Sequence, residues 1–202
     1  QMIKRNLLVM GLALLLGACG FQLRGTGTNQ LTIKEIDLSA RNAYGEIVTQ
    51  LRQTLEGSGV RIHSGAPYKL ILVDENESQR SLSYTGASGS AEYEMTTQLN
   101  YQIHGAHDLS LLDGKLQVQK VYVHDGNNLM GSDQEMAQVR KEMRNQLVQN
   151  MMVRLQLLTP TQLEQLQQTA DNKAKADADA LEAAQRIENE TPRQSPIEIP
   201  SR

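Results

Sequence analysis

Residues 91–104 carry the most regular pattern in the chain, because apolar and polar side chains alternate there without a break. A period of two predicts a β-strand with one face toward a core and the other toward a polar environment. The core-facing set is Ala91, Tyr93, Met95, Thr97, Leu99, Tyr101 and Ile103. A strand with one polar face is typical of antiparallel sheets.

Three further segments are predicted to be strands: residues 33–38, the apolar run 70–73 with its polar continuation to Ser83, and the Val-rich residues 116–123. Gly86 and Gly89 predict a hairpin turn before the alternating strand. The dipeptide Asp113-Gly114 suits a type I′ turn after it. The sequence therefore predicts a mostly antiparallel sheet of four strands.

Two segments have the spacing of amphipathic helices, with apolar residues every three or four positions. The first stripe is Tyr44, Ile47, Val48, Leu51 and Leu55, and the second is Met136, Val139, Met143, Leu147, Met151, Leu155 and Leu158. Ser39 or Asn42 could cap the first helix, and Ser132 or Asp133 the second. The methionines favour core packing over a cofactor site, because methionine fills irregular gaps against a sheet.

The order of these elements predicts the fold class. A strand, a helix, several strands and a second helix give an α+β two-layer sandwich, in which two helices pack on one face of the four-stranded sheet. We assign this domain to residues 31–168. Pro160 ends the second helix and begins a short further turn that carries Leu163 and Leu166.

The N-terminal residues 1–18 have the organisation of a secretory signal peptide. Lys4 and Arg5 precede an apolar run of ten residues, which at about 1.5 Å per residue is too short to span a bilayer. The run ends in Leu16-Gly17-Ala18-Cys19, which looks like a bacterial lipobox. We expect Cys19 to carry a covalent diacylglycerol and an N-acyl chain, because stable membrane anchoring requires two or more chains. Residues 19–30 would then be the acylated linker.

The C-terminal residues 169–202 contain alternating Ala, Asp and Lys and a proline-containing end. Such a composition buries little apolar surface to offset the entropy of ordering, so we predict a disordered tail.

Composition and motifs exclude several functions. A net charge of -3, one Phe and no Trp argue against a nucleic-acid partner. A single cysteine excludes an intramolecular disulfide and a Cys-rich metal site, and no metal site is predicted. The candidates for a hydrolase centre are few: His104, His107 and Ser88, which lack the spacing of a catalytic motif. We therefore expect no enzyme.

The polar face of the alternating strand is unusual for a solvent-facing strand. It carries Thr96, Gln98, Asn100 and Gln102 in succession, all uncharged hydrogen-bonding side chains. Exposed strands often carry Lys or Glu, so a neutral polar face favours a wet surface enclosed by another protein. The alternative is an ordinary face exposed to solvent, because four neutral side chains on a single strand can also occur without a partner protein.

The run Cys19-Gly20-Phe21-Gln22-Leu23-Arg24-Gly25 resembles the mature start of the LptE family, the lipopolysaccharide-assembly lipoproteins of Gram-negative bacteria. Residues 91–95, 127–131 and 141–143 are similar to the same family, in the same order. The resemblance covers the leader and the body to about Pro160.

The resemblance implies an outer-membrane lipoprotein, facing the periplasm, that plugs the lumen of the LptD β-barrel, assists its assembly and binds lipopolysaccharide during delivery to the cell surface. Arg80, Lys115 and Lys120 are the basic residues that we predict to contact lipid phosphates, and the four neutral residues above are predicted to contact the barrel. The hairpin from Tyr84 to Ser90 could also touch the barrel wall. The alternative is an auxiliary lipoprotein of a periplasmic lipid transport system.

Overall fold

The computed structural model describes residues 31–85 and 89–190. The strands are β1 (Glu35–Ala40), β2 (Arg61–Ile62), β3 (Lys69–Thr85), β4 (Ser90–His104) and β5 (Ser110–Asp125). The helices are α1 (Glu46–Gly57), α2 (Leu129–Gln156) and α3 (Pro160–Glu190), with a single 3₁₀ turn at Ala106–Asp108. The α+β prediction is confirmed, with five strands and three helices in place of four and two.

The strands form one sheet in the order β2-β1-β3-β4-β5. β1 pairs in parallel with β2, to which α1 connects it, and also with β3, whereas β3, β4 and β5 form a long antiparallel meander. The parallel contact of β1 with β3 is short and ends where Ala40 lies opposite Leu72. Beyond that point β3 continues to Thr85 with β4 as its only partner among the described strands.

The core lies between the sheet and the helices, and the period of two in β4 determines which side chains enter it. Met95, Leu99 and Ile103 are at most 2% exposed, as are Met143 and Leu147 of α2. At about 25 cal/mol per Å² of apolar surface, burial of each such side chain stabilises the fold by roughly 1.5–3 kcal/mol. The predicted methionine stripe is therefore core, as expected.

Polar contacts hold α2 in register on the rest of the sandwich. Arg140 donates to Glu77 of β3 at 2.7 Å, and Arg144 donates to Glu46 of α1 at 2.5 Å. Gln50 of α1 also donates to Asn145 at 2.6 Å. These contacts bridge elements that are distant in sequence, so they favour one arrangement of α2 over shifted ones.

The predicted helix caps were wrong. α1 begins after Gly45, which makes no side-chain capping bond, and α2 begins seven residues before Met136. Asn128 caps α2 by accepting a hydrogen bond from the Gly131 N–H at 3.0 Å. Ser132, one of the predicted caps, is instead buried inside the first turn of α2 and binds the backbone of Asp125.

The predicted turn at Asp113-Gly114 was also wrong. β4 ends at His104, the chain reverses through the 3₁₀ turn, and both residues lie within β5. Gly114 pairs with Tyr101 and leaves space for its ring. The glycine therefore serves side-chain packing rather than chain reversal.

Residues 169–190 were assigned by sequence to a disordered tail, but they form the C-terminal part of α3. Leu163 of α3 is 2% exposed, whereas every residue after Ala174 is exposed. Residues 161–190 contain no Gly or Pro and many strong helix formers, so a helix that begins against the core can propagate past it. The remainder of the predicted tail and residues 1–30 lie outside the described residues.

Candidate functional site

The candidate site is the sheet face opposite the helices, which we call the outer face. Thr96, Gln98, Asn100 and Gln102 all point to this face, where each is half-buried in the chain alone. The structure thus brings the four predicted barrel-contact residues into one row along β4. Whether a barrel contacts them stays a prediction.

The two neighbouring strands extend the neutral character of the row. Gln98 lies opposite Asn76 of β3 and Gln117 of β5, and Thr96 lies opposite Ser78 and Gln119. The middle of the outer face is therefore an array of amides and hydroxyls three strands wide. The sequence signal for the β5 part is the alternation of Gln117 and Gln119 with Leu116 and Val118.

One carboxylate enters this neutral array, and the sequence did not predict it. The register of β3 shifts between Leu72 and Asp74, so a bulge at Val73 turns Asp74 to the outer face. Asn100 donates to Asp74 at 2.9 Å and Asn76 donates to it at 2.5 Å. Two amide donors thus solvate the carboxylate and tie β3 to β4 at the centre of the face.

Charged residues lie at the two ends of the outer face and are mostly paired. At the end nearer the 85–90 hairpin, Arg80 donates to Glu94 at 3.0 Å. At the other end, His104 contacts Asp108 at 2.9 Å. The hydrogen bond from His104 and the charge of Lys69 lower the pKa of the Asp108 carboxyl. These two contacts bound the neutral array along the strand direction, and Lys115 of β5, opposite Asn100, is a further charged residue on this face.

The three predicted phosphate contacts are not brought together. Lys115 and Arg80 are both on the outer face, but their β4 partners Asn100 and Glu94 are six residues apart, a separation of roughly 20 Å. Lys120 lies on the helix side, where it donates to Glu142 at 2.5 Å. That hydrogen bond lowers the pKa of Glu142. Lys115 is exposed, and the described residues offer it no ion pair.

A cleft of about 500 Å³ opens at the edge of the sheet, between the start of α1 and β3. Its lining combines apolar residues such as Leu72 with one cation, Arg41, and three carboxylates, Asp74, Glu75 and Glu77. Partial burial, followed by the negative charge of Glu77, raises the pKa of Glu75. The acidic lining makes this cleft unsuited to a phosphorylated lipid headgroup.

Two of the three candidates for a hydrolase centre, His104 and His107, lie within the described residues. Both ring nitrogens of His104 have side-chain contacts, with Asp108 at 2.9 Å and Gln102 at 3.3 Å, and His107 lies on the exposed 3₁₀ turn with a positive φ of 60°. Ser88 lies outside the described residues. Within residues 31–85 and 89–190, no three His, Cys, Asp or Glu side chains are grouped as a metal site. No helix in the same ranges is long and apolar enough to cross a membrane.

Comparison with known proteins decides the family. The family described as "LptE: Lipopolysaccharide-assembly" matches residues 33–155, which is more than half of the chain and includes β1 to α2. This chain belongs to the LptE family. The resemblance inferred from the N-terminal motif and the three later segments is therefore confirmed, and the matched region includes every residue of the outer-face row.

Curated members of the LptE family are similar over most of their length. The LPS-assembly lipoprotein LptE of Yersinia pestis (strain Pestoides F) is 27% identical over 183 residues, covering 88% of this chain and 87% of that protein. The protein of the same name from Yersinia enterocolitica serotype O:8 is 25% identical over 171 residues, covering 82% of each.

Solved structures show the same fold as this LptE-family chain. The rare lipoprotein B of Shewanella oneidensis aligns with a TM-score of 0.51 at 21% identity, covering 71% of this chain and 98% of that one. Lipoprotein B of Nitrosomonas europaea aligns with a TM-score of 0.56 at 18% identity, covering 72% and 96%. At these identities the likeness establishes the fold alone.

Proposed function

We propose that this chain is a non-enzymatic outer-membrane lipoprotein of lipopolysaccharide assembly, which occupies the lumen of an LptD-like β-barrel and assists its assembly. Family membership and the names of its relatives support the role in lipopolysaccharide assembly. The observation that supports a barrel partner is the neutral, hydrogen-bonding outer face, which is three strands wide.

The chemistry of the outer face suits enclosure by another protein. Amides and hydroxyls can exchange water for a polar wall at modest cost, whereas an unpaired charge would lose its hydration. The single carboxylate in the array, Asp74, already accepts two amide hydrogen bonds. The face can therefore dock against a polar lumen if the wall supplies a partner for Lys115, which is exposed opposite Asn100.

The size of the domain sets a lower limit on the diameter of the barrel. The domain predicted over residues 31–168 has 138 residues, which gives a radius of gyration near 14 Å and a diameter of roughly 35 Å. With side chains and wall, the enclosing barrel needs to be about 45 Å across, which corresponds to roughly 23 or more tilted strands. The partner we propose is thus among the largest barrels.

Lipid on Cys19 would anchor the chain in the outer membrane, with the domain on the periplasmic side and in the lumen. Replacing Cys19 by Ser is expected to abolish incorporation of labelled palmitate. It would also release the protein from membranes. Labelling that survives the replacement would exclude Cys19 as the acylated residue.

Direct binding of lipopolysaccharide is the second part of the proposal. Of the three cations considered, Lys115 has the most favourable placement, since it is exposed and unpaired in the described part of the chain. Arg80 would have to leave Glu94, and Lys120 would have to leave Glu142 and face the opposite side. We therefore retain Lys115 as the phosphate contact.

Photocrosslinking tests the barrel partner. A photoreactive amino acid at Gln98 should give an adduct with a large barrel protein, whereas the same group at Gln185, on the exposed half of α3, should give little. A chain that purifies without any barrel protein would reject the partner and favour the auxiliary transport lipoprotein. Copurification without a Gln98 adduct would reject only the orientation of the outer face toward the wall.

A further inference from the structure

The sheet has a free edge along β5, and the proposed contact of the outer face does not account for it. β5 is the last strand of the sheet, and among the described residues no strand pairs with its outer side. A strand edge presents unpaired N–H and C=O groups that can template another strand. The two long edges of this sheet, on β3 and on β5, differ in how well they are protected against an added strand.

The other long edge, on β3 beyond Leu72, is protected against added strands. Its register is broken between Leu72 and Asp74 and again between Ser81 and Ser83. It also carries charged side chains at Glu75 and Glu77. Bulges and charges are the usual means by which proteins prevent edge-to-edge pairing.

β5 has no bulge over its middle, and Lys120, the charged residue between positions 117 and 121, lies on the helix side in a hydrogen bond to Glu142. Its register with β4 is continuous from Leu112 to Asp125, without a bulge. The outer-face side chains beside this edge are the uncharged Gln117 and Gln119, followed by Val121, which is 53% exposed.

The direction of the free N–H groups follows from two contacts at the end of β5. The Val123 N–H donates to Glu135 of α2 at 3.3 Å, and the Asp125 N–H donates to Ser132 at 2.8 Å. In an antiparallel pair, N–H groups point alternately toward and away from the partner strand. Since these two point away from β4, those of Gln117, Gln119 and Val121 do so as well.

The chain therefore covers one end of its own edge and leaves the middle open. The first turns of α2 satisfy the N–H groups at residues 123 and 125. The N–H groups at 117, 119 and 121 receive no such partner from the described residues. An extended segment could hydrogen-bond at these three positions without displacing anything seen in the structure.

We infer that the edge of β5 over residues 117–121 binds an extended, uncharged segment of the barrel partner, which adds an antiparallel strand beside β5. This inference rests on the proposed function. The Gln117 and Gln119 side chains belong to the neutral outer face, so the edge and the face form one continuous surface. Because we place the outer face against the barrel wall, we assign the strand added at this edge to the barrel protein. The outer-face side chains of residues 117–121 are uncharged, so they match a neutral strand and would leave a charged side chain on that face unpaired.

Hydrogen exchange of single amides in the complex tests this inference. The isotopically labelled full chain is compared alone and copurified with its barrel protein. Strand addition should slow exchange at residues 117, 119 and 121 by at least about tenfold in the complex. The amides of Leu116 and Val118, already bonded to β4, should be protected in both samples and serve as internal controls.

Each other result contradicts the inference in a distinct way. Fast exchange at 117, 119 and 121 in an intact barrel complex would reject strand addition while leaving the proposed function standing. Slow exchange in the dilute chain alone would assign the edge to a segment of this chain, and protection that depends on concentration without the barrel would assign it to a second copy. Failure to form any barrel complex would reject both proposals.

A matched pair of variants at one position separates main-chain pairing from side-chain contact. Proline at an edge position removes the outward N–H but no bond to β4, so Gln119→Pro should weaken copurification with the barrel at least tenfold, whereas Gln119→Ala should not. An equal effect of both variants would attribute binding to the glutamine side chain and overturn the inference. If Gln119→Pro does not fold, the exchange measurement on the unmodified chain still decides.

Discussion

Tyr101 and Gly114 face each other across β4 and β5, and a Cβ atom on residue 114 would lie 2.2 Å from Cζ of the Tyr101 ring. The ring is only 3% exposed and fills the space that the missing side chain leaves. Its burial raises the pKa of the Tyr101 hydroxyl. A glycine in the middle of a strand, normally unfavourable, is therefore required here by the residue opposite it.

Gly114→Ala should lower the free energy of unfolding by about 1–3 kcal/mol, because the tyrosine ring would have to move in a packed core. Gly57→Ala is the matched control, since nothing lies within 4 Å of a Cβ there and the residue is helical. Urea unfolding followed by circular dichroism measures both. Equal stability of the two variants would contradict this account of Gly114.

The strands, the core and the reversal between β3 and β4, where Thr85 pairs with Ser90, followed from local pattern, whereas the turn predicted at Asp113-Gly114 did not. The alternation over residues 91–104 predicted all but the first residue of β4, and its inward set is the core of the sheet. Asp113-Gly114 matched a turn motif, but the glycine is explained by contact with Tyr101, which is 13 residues away. A short motif carries no information about that contact, so the prediction of a turn there was wrong.

The candidate site was predictable in outline only. Alternation placed Gln98 and Asn100 on one face, whereas Asp74 joined them through a bulge that no local signal in β3 marks. Lys120 differs, because its alternation with Gln119 and Val121 already places it on the helix side with Leu116 and Val118. Sequence periodicity identified the polar face, and the register determined which charges belong to it.

Glu75 should make stability depend on pH. Burial and the negative charge of Glu77 raise its pKa above the ordinary value of 4.5, so the folded protein favours the protonated carboxyl. The ionised form therefore destabilises the fold at neutral pH, and this penalty disappears as the pH falls through the raised pKa toward 4.5 and below. Because the residue is largely open to water, the penalty is less than about 1 kcal/mol.

Glu75→Gln should consequently stabilise the protein at pH 7.5 and have no effect below about pH 4, where the native carboxyl is protonated in both states. Glu164→Gln, at an exposed position on α3, is the control for replacing a glutamate. Urea unfolding at the two pH values gives the measurement. A stabilisation of Glu75→Gln that is the same at both values would show that ionisation is not its cause.

Gln167 should control how firmly α3 is held. Its Oε1 accepts a hydrogen bond from the Ala106 N–H at 2.9 Å, and a Cβ on Gly105 would lie 2.2 Å from the same oxygen. Gln167→Ala is expected to cost about 0.5–1.5 kcal/mol, the net contribution of one such hydrogen bond. The loss should appear as faster proteolysis within α3, and Gln168→Ala, at the exposed neighbouring position, should show none.

Lys115 should contribute to lipopolysaccharide binding through a charge-assisted contact with a lipid phosphate, a bond worth about 1.5–3 kcal/mol. Lys115→Glu in the purified full-length protein should therefore weaken binding at least about tenfold, with a larger effect at low salt because the contact is electrostatic. Lys141→Glu, an exposed position on α2, makes the same charge change on the helix side and should leave binding within twofold. Equal losses for the two variants would indicate a general dependence on net charge, and unchanged binding for Lys115→Glu would remove this residue from the lipopolysaccharide site.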